Sequence, residues 1–186
     1  LLQHLGIVRP LISFHTHNEH RMVEQLVRRM ADGEHFALVS DAGTPAISDP
    51  GVALVAAAKE RGIQVVSIPG PTAVAASLAV SGIGGDRYLF LGFLPRKGSD
   101  RRRLLVTAAQ SEWTVVIFEA PTRVAQLLAD LSDACGPDRE AAVSRELTKV
   151  FEETRAGTLA ELAAHYGDAA KERELVELYR ERFFKP

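Results

Sequence analysis

Apolar positions at helical spacing alternate with short continuous apolar runs along the first part of the chain. The helical spacing predicts helices at residues 20–30, 51–60 and 72–80, and the apolar runs FALVS and IQVVSI predict buried strands at 36–40 and 63–68. Glycine and proline stand between these segments and mark the loops. Helices that alternate with short buried strands are typical of a parallel α/β architecture.

The same alternation begins again after a glycine-rich connection at residues 82–86. Strands are predicted at 88–93, 113–118 and 140–144, and helices at 100–110, 122–134 and 158–166. In the last of these helices, Thr158 and Glu161 have the spacing of a capping box. The glycine-rich connection therefore predicts two α/β domains, residues 1–84 and residues 85–186.

The two ends of the chain fit this pattern less well. A parallel α/β domain usually opens with a strand, whereas LLQHLGI resembles the tail of a helix, so we expect an amino-terminal strand to be missing. Residues 174–184, ELVELYRERFF, fit a strand with alternating Leu175, Glu177 and Tyr179. They fit equally a helix with Leu175, Leu178 and Tyr179 on one face, so both interpretations stay open.

Composition limits the class of protein. With 186 residues, of which 46% are hydrophobic, the chain can bury a core, and its net charge of −2 argues against a protein that coats nucleic acid non-specifically. No apolar run reaches the roughly 18 residues of a membrane span, and no secretory signal is evident, which predicts a cytoplasmic protein. Cys135 is the only cysteine, and the cluster His15, His17 and His20 lacks a further ligand group, so no metal site is predicted.

Basic residues are concentrated in one segment despite the negative total. The segment consists of Arg96, Lys97, Arg101, Arg102 and Arg103. It could contact the phosphates of a nucleic acid, or it could be a solvated loop and helix start.

Three loops follow predicted strands, at the positions where open α/β sheets bind ligands. The first, DAGTPAISDPG at residues 41–51, combines an approachable Gly43 with stiff prolines, and Asp49 with Pro50 would cap the next helix. The second, at 69–73, also combines stiff prolines with an approachable glycine, and Thr72 would cap the helix that follows. In the third, at 118–123, Glu119 and Arg123 are spaced for a surface salt bridge, which contributes little to stability.

A fourth segment, SRELTKVFEE at residues 144–153, alternates charged and apolar positions. Its basic and acidic side chains could converge on a reacting group, or they could line the polar edge of a strand. The candidates are Arg145, Glu146, Lys149 and Glu152.

Five ordered blocks carry a resemblance to a known family. VSDAGTPAISDPG, IPGPTAVAASLAVSGI, FLGFLPRKG, FEAPTR and SRELTKVFEE occur in the order found in the ribosomal RNA small subunit methyltransferase I family, a branch of the tetrapyrrole-methylase superfamily. The resemblance extends to about Leu162. The family's first strand, with its Gly-Asn-Leu loop, and its Glu-Asp-Thr-Arg segment are absent from this sequence.

The resemblance implies an activity, a fold and a set of binding residues. The activity is transfer of a methyl group from S-adenosylmethionine to the ribose 2′-oxygen of a cytidine in the decoding region of 16S ribosomal RNA. The implied fold has two α/β domains with the cofactor in the cleft between them. The residues implied to line the cofactor site are Asp41, Ala42, Gly43, Thr44, Pro69, Gly70, Pro71, Thr72, Ala73, Phe118, Glu119 and Ala120.

The remaining candidates are assigned to the substrate side. We expect Glu146 or Glu152 to accept the proton of the 2′-hydroxyl, and Lys149 or Arg145 to stabilise the developing alkoxide. In light of the resemblance, the basic segment and Arg123 are predicted to contact the RNA of the small ribosomal subunit.

Two other functions stay open from the sequence. One is methylation of a porphyrin precursor or a diphthamide intermediate by another member of the superfamily. The other is a non-catalytic module for RNA binding or ribosome assembly. Homodimers are common in the superfamily, but this sequence does not itself define an oligomeric state.

Overall fold

The computed structural model describes residues 2–167. The predicted strand or helix at 174–184 lies outside them. In chain order the elements are α1 (Glu19–Ala31), α2 (Val52–Glu60), α3 (Ala73–Ser81), β1 (Tyr88–Phe93), α4 (Ser99–Gln110), β2 (Thr114–Phe118), a 3-10 turn (Pro121–Arg123), α5 (Val124–Cys135), β3 (Glu140–Arg145), β4 (Glu153–Thr158) and α6 (Leu159–Tyr166). The six predicted helices and the three predicted strands of the second half are confirmed to within about two residues.

The chain divides into two compact units, one that ends at Pro71 and one that begins at Thr72. The predicted domain boundary between residues 84 and 85 stays a prediction. Among the described residues, no helix has both the length and the apolar character needed to cross a membrane.

In the first unit, helices α1 and α2 pack against each other. Leu26 and Val27 of α1 and Leu54 of α2 form the buried centre of this contact. All three residues are among the apolar positions of the predicted helices. The amphipathic pattern of α1 therefore identifies its buried side, whereas α2, VALVAAAKE, is apolar nearly throughout and its pattern does not.

The two strands predicted in this unit are wrong. In the described part of the chain, residues 36–40 and 63–68 form no ladder with any other segment. Apolar side chains along them stay in solvent, with Val39 60%, Val66 65% and Ile68 84% exposed. An apolar run forms a strand only when a second strand satisfies its backbone hydrogen bonds, and neither segment has such a partner here.

In the second unit, β1 and β2 form a parallel pair joined by α4. The register runs from Tyr88↔Thr114 to Phe93↔Phe118, with an irregularity between Phe90 and Phe93. Gly92 lies inside this irregularity with a φ of 61°, a conformation that suits glycine at a bulge. Because the strands are parallel, their carboxyl ends, at Phe93 and Phe118, meet at one edge.

Strands β3 and β4 form an antiparallel hairpin, from Glu140↔Thr158 to Arg145↔Glu153. Strand β4 was not predicted, because ETRAGT contains almost no apolar side chain to mark it. Helix α6 follows directly and begins with the predicted capping box. Thr158 Oγ1 accepts from the Glu161 amide at 3.2 Å, and Glu161 Oε2 accepts from the Thr158 amide at 2.9 Å.

The core of the second unit lies between the helices α5 and α6 and the hairpin. Leu128 of α5 packs with Leu159, Leu162 and Tyr166 of α6, and Val143 of β3 contacts this cluster. The hairpin is therefore held from one side by two helices.

Candidate functional site

The first two predicted loops contact each other within the first unit. The Thr44 hydroxyl donates to the Pro71 carbonyl at 3.1 Å, although the two residues are 27 positions apart. The Ser40 hydroxyl donates to the carbonyls of Ala42 and Gly43, at 3.0 and 3.2 Å, which fixes the start of the first loop. The structure thus brings together segments that the sequence suggested separately.

The backbone of the first loop is strained. Ala46 and Ser48 have φ values of 67° and 58°, which residues with a Cβ rarely adopt. Backbone strain of this kind concentrates at functional sites, where surrounding contacts maintain it. Gly43 has a φ of 71°, and a Cβ placed on it would meet no atom within 4 Å, so the space beside this glycine is open.

The predicted cap of α2 is wrong. The helix begins after Gly51 rather than Asp49, and no side chain caps it. The amide of Gly51 donates instead to Glu19 Oε1 of α1, at 3.0 Å. Gly51 has a φ of 139°, which residues with a Cβ rarely adopt, and a Cβ there would also lie 2.7 Å from Leu38 Cδ2, so this position favours glycine. For α3, Thr72 is the N-cap residue as predicted, but its side chain makes no capping hydrogen bond.

The edge where β1 and β2 end carries a buried carboxylate. The Glu119 side chain is only 4% exposed, and its Oε2 lies 3.0 Å from Arg123 Nη2. Oε1 accepts from the Ala120 amide at 2.8 Å, whereas Oε2 is buried without a hydrogen bond. Arg123 Nη2 also donates to the Leu94 carbonyl at 2.8 Å. The predicted surface salt bridge is therefore a largely buried link between the ends of the two strands.

A cavity of 760 Å³ lies in the second unit beside Phe118 and Glu119. Every residue from 112 to 119 and from 138 to 144 lines it. Because successive residues of a strand point to opposite faces, such a lining means that the cavity runs along the edges of β2 and β3. Within the described residues, β2 pairs only with β1 and β3 only with β4. The cavity is therefore a gap between strand edges, and we assign no ligand to it.

The basic segment contains one buried arginine and four exposed cations. Arg101 is 8% exposed, its Nη2 lies 2.5 Å from Asp130 Oδ2 of α5, and its Nη1 donates to the Pro95 carbonyl at 3.0 Å. Arg103 is exposed and pairs with Asp100 at 3.1 Å. Arg96, Lys97 and Arg102 are exposed as well. The Arg101 guanidinium is thus engaged inside the protein, and the other four cations face solvent.

The loop of the β3–β4 hairpin, residues 146–152, brings two predicted catalytic side chains together. Lys149 Nζ lies 3.1 Å from Glu146 Oε1. Two other predicted residues have different partners: Glu152 Oε2 accepts from the Thr148 amide at 2.6 Å, and Arg145 Nε donates to Glu153 Oε2 at 2.6 Å. Glu146 and Thr148 have φ values of 52° and 66°, so this loop is strained as well.

The charge interactions of Glu153 mark it as a candidate functional residue, although the sequence did not single it out. The hydrogen bond from Arg145 holds the pKa of the Glu153 carboxyl below its usual value, with smaller contributions from the charges of Arg145, Arg155 and His165. Beneath the hairpin, burial raises the pKa of the Tyr166 hydroxyl. Without knowledge of the β3–β4 register, no sequence signal relates Glu153 to Arg145.

Taken together, these features describe an α/β protein with strained, polar loops of the kind that bind small ligands. Residues 6–163 match the family described as Tetrapyrrole (Corrin/Porphyrin) Methylases. The chain therefore belongs to the tetrapyrrole methylase family, and the resemblance noted in its sequence is confirmed.

Similar proteins support the same conclusion. The chain is 47% identical over 174 residues to "Ribosomal RNA small subunit methyltransferase I" of Xylella fastidiosa (strain Temecula1 / ATCC 700964), covering 94% of this chain and 64% of the relative. It is 47% identical over 166 residues to the protein of the same name from Synechocystis sp., covering 89% and 60%. The chain thus spans about three fifths of the length of these relatives.

A solved structure supports the fold. "Crystal structure of the methyltransferase CobJ" aligns with a TM-score of 0.59 and 20% identity, covering 77% of this chain and 66% of that chain. At this identity the likeness concerns the fold alone.

Proposed function

We propose that this chain is part of an enzyme that transfers a methyl group from S-adenosylmethionine to the ribose 2′-oxygen of a cytidine in the decoding region of 16S ribosomal RNA. The observation that carries the proposal is the pairing of Glu146 with Lys149 on a strained loop, 3.1 Å apart, in a member of the tetrapyrrole methylase family. The names of the relatives support ribosomal RNA as the substrate.

The residues present suit the cofactor. Glu119 Oε2 is buried and lies in an ion pair with Arg123 Nη2 at 3.0 Å, but it accepts no hydrogen bond, so it retains capacity to accept one from a hydroxyl or amine donor of a nucleoside. Open space beside Gly43 admits a ligand close to the backbone of the loop at residues 41–44. We assign cofactor binding to this loop, to residues 69–73 and to residues 118–120. When bound, the cofactor supplies an electrophilic methyl group on a sulfonium.

A glycine variant tests the cofactor site. Asn tolerates positive φ, so Gly43→Asn fills the open space with little backbone strain. We expect it to weaken S-adenosylmethionine binding by about tenfold or more, a loss of about 1.4 kcal/mol, by calorimetry. Gly62→Asn is the matched control, because Gly62 has a φ of +70° and equally open surroundings at the end of α2. Equal affinities for the two variants would exclude Gly43 from the site.

The chain's own residues supply proton transfer and charge stabilisation. A neutral 2′-hydroxyl is a weak nucleophile, so its proton has to move to a base during the reaction. We assign Glu146 as this base and Lys149 as the cation that stabilises the developing alkoxide. Glu152 and Arg145 are less suited to these roles, since Glu152 accepts from the Thr148 amide and Arg145 donates to Glu153.

Two substitutions test the catalytic pair in a full-length protein. Glu146→Gln and Lys149→Met should each lower kcat by about 10²-fold or more and leave the Kd of S-adenosylmethionine unchanged. Glu140→Gln is the control, because Glu140 is an exposed carboxylate at the far end of the same hairpin. Unchanged kcat in both variants would remove the pair from the mechanism.

A further inference from the structure

The end of the β3–β4 ladder is joined by two side-chain contacts. Ser144 Oγ and Thr154 Oγ1 lie 2.9 Å apart across one pair of the ladder, and Arg145 Nε donates to Glu153 Oε2 at 2.6 Å across the next. Since neighbouring residues of a strand point to opposite faces, these contacts lie on opposite sides of the hairpin. Both ends of the loop at residues 146–152 are therefore fixed on two faces.

The loop needs such support because of its backbone. Glu146 and Thr148 hold positive φ values, and Thr148 is β-branched, so it strongly disfavours this conformation. Three backbone amides donate hydrogen bonds within the loop. The Thr148 amide donates to Glu152 Oε2 at 2.6 Å, the Lys149 amide to the Glu146 carbonyl at 2.9 Å, and the Glu152 amide to the Lys149 carbonyl at 3.2 Å.

Glu153 is the centre of the second contact. One carboxylate oxygen accepts from Arg145, and the other lies 3.5 Å from Arg155 Nη2. The side chains of Arg145 and Glu153 are 25% and 29% exposed, so solvent only partly screens this pair. Arg145 is therefore directed across the hairpin toward Glu153.

We propose that Glu153 is a positioning residue, which holds Arg145 and through it the loop that carries Glu146 and Lys149. The inference rests on the proposed function, since it concerns the same reaction. Under this inference Arg145 supports the loop and does not itself stabilise the developing alkoxide. A displacement of a catalytic group by about 1 Å can cost about 10²-fold in rate, so loss of this support lowers kcat without removing a reacting group.

A charge swap separates positioning from direct catalysis. Arg145→Glu and Glu153→Arg should each lower kcat by about tenfold or more, with the KM for S-adenosylmethionine unchanged. The double variant R145E/E153R restores the pair in reverse and should recover part of the kcat, because Arg155, which lies 3.5 Å from Glu153 Oε1, then faces a like charge. A double variant no more active than the weaker single one would overturn the proposal, because Arg145 would then be needed for its own charge.

Amide exchange tests the support without any substrate. In Glu153→Gln and Thr154→Val, the amides of Thr148, Lys149 and Glu152 should exchange faster than in the unaltered protein, while amides of α6 keep their rates. Glu24→Gln is the control, because it removes an exposed carboxylate that pairs with Arg28 in α1. Unchanged loop exchange in Glu153→Gln would overturn the proposal, whatever the result for Thr154→Val. Lack of methylation by the unaltered protein would instead overturn the proposed function. The two failures can be told apart because amide exchange is measured without substrate.

Discussion

Arg123 Nη2 lies 3.0 Å from Glu119 Oε2 and donates at 2.8 Å to the carbonyl of Leu94, so one guanidinium joins the ends of two parallel strands. Glu119 is 4% exposed and Leu94 1%. The arginine thus neutralises a buried carboxylate and satisfies a buried carbonyl at the edge assigned to the cofactor. Arg123 therefore stabilises the position of the two strand ends relative to each other.

Arg123→Met should destabilise the protein by about 2–3 kcal/mol, because it leaves both acceptors buried without a cation. Glu119→Gln in the same background should recover part of the loss, since a neutral amide no longer requires the charge. Urea unfolding of the two single variants and the double variant measures this coupling. Additive losses would contradict a direct link between the two side chains.

Arg101 and Arg103 are two helix positions apart and should respond differently to substitution. Arg101→Met removes the partner of Asp130 from a pair whose side chains are 10% and 25% exposed, and should cost about 3 kcal/mol. Arg103→Met removes an exposed pair with Asp100 and should change stability by less than about 0.5 kcal/mol. Thermal unfolding gives both values. A similar small effect for the two would show that the Arg101–Asp130 pair does not stabilise α4 against α5.

The exposed cations of the basic segment should carry RNA binding. Replacing Arg96 and Arg102 with Glu should weaken binding to the small ribosomal subunit and lower the slope of log K against log salt by about 1 for each phosphate that is no longer neutralised. Arg87→Glu is the control, since Arg87 is exposed in the same unit outside the segment. Equal weakening by the control would indicate a general effect of charge.

The helices could be predicted from the sequence because their hydrogen bonds are local and because glycine or proline borders most of these apolar-rich segments. Sheet pairing is not local, so the apolar segments at 36–40 and 63–68 were predicted as strands although neither has a partner among the described residues. Conversely, β4 was missed because its ladder with β3, rather than its own apolar content, stabilises it. The sequence therefore identifies the apolar segments but not which strands pair with one another.

The candidate site shows the same division. The loops at residues 41–51 and 69–73 could be identified from their composition, whereas the hydrogen bond from Thr44 to Pro71 depends on the fold. Arg101 and Arg102 are neighbours in sequence and appeared equivalent. Contacts with Asp130, 29 residues away, and with the Pro95 carbonyl distinguish the buried arginine from the exposed one. Glu153 was missed because its partner is set by the register of the hairpin.

The order of the hairpin loop should depend on pH. Because Arg145 lowers the pKa of Glu153 in the folded protein, the stabilisation is fully present above the ordinary pKa of an unfolded glutamate and is lost as pH falls through the lower folded pKa. Amide exchange of Lys149, whose amide donates to the backbone carbonyl of Glu146, should show loss of protection in acid once it is corrected for the intrinsic rate. Glu153→Gln should remove this dependence. If amide protection in the loop falls in acid as much in this variant as in the unaltered protein, the Glu153 carboxylate does not have this role.

A methyl-transfer assay is the most direct test of the proposed function. Small ribosomal subunits that lack the modification are incubated with a full-length protein and S-adenosylmethionine that carries a labelled methyl group, and the RNA is mapped at nucleotide resolution. We expect one label on the ribose 2′-oxygen of a cytidine in the decoding region, with incorporation lost in Glu146→Gln and retained in Glu140→Gln. A label on a base, or no label in RNA despite bound S-adenosylmethionine, would contradict it.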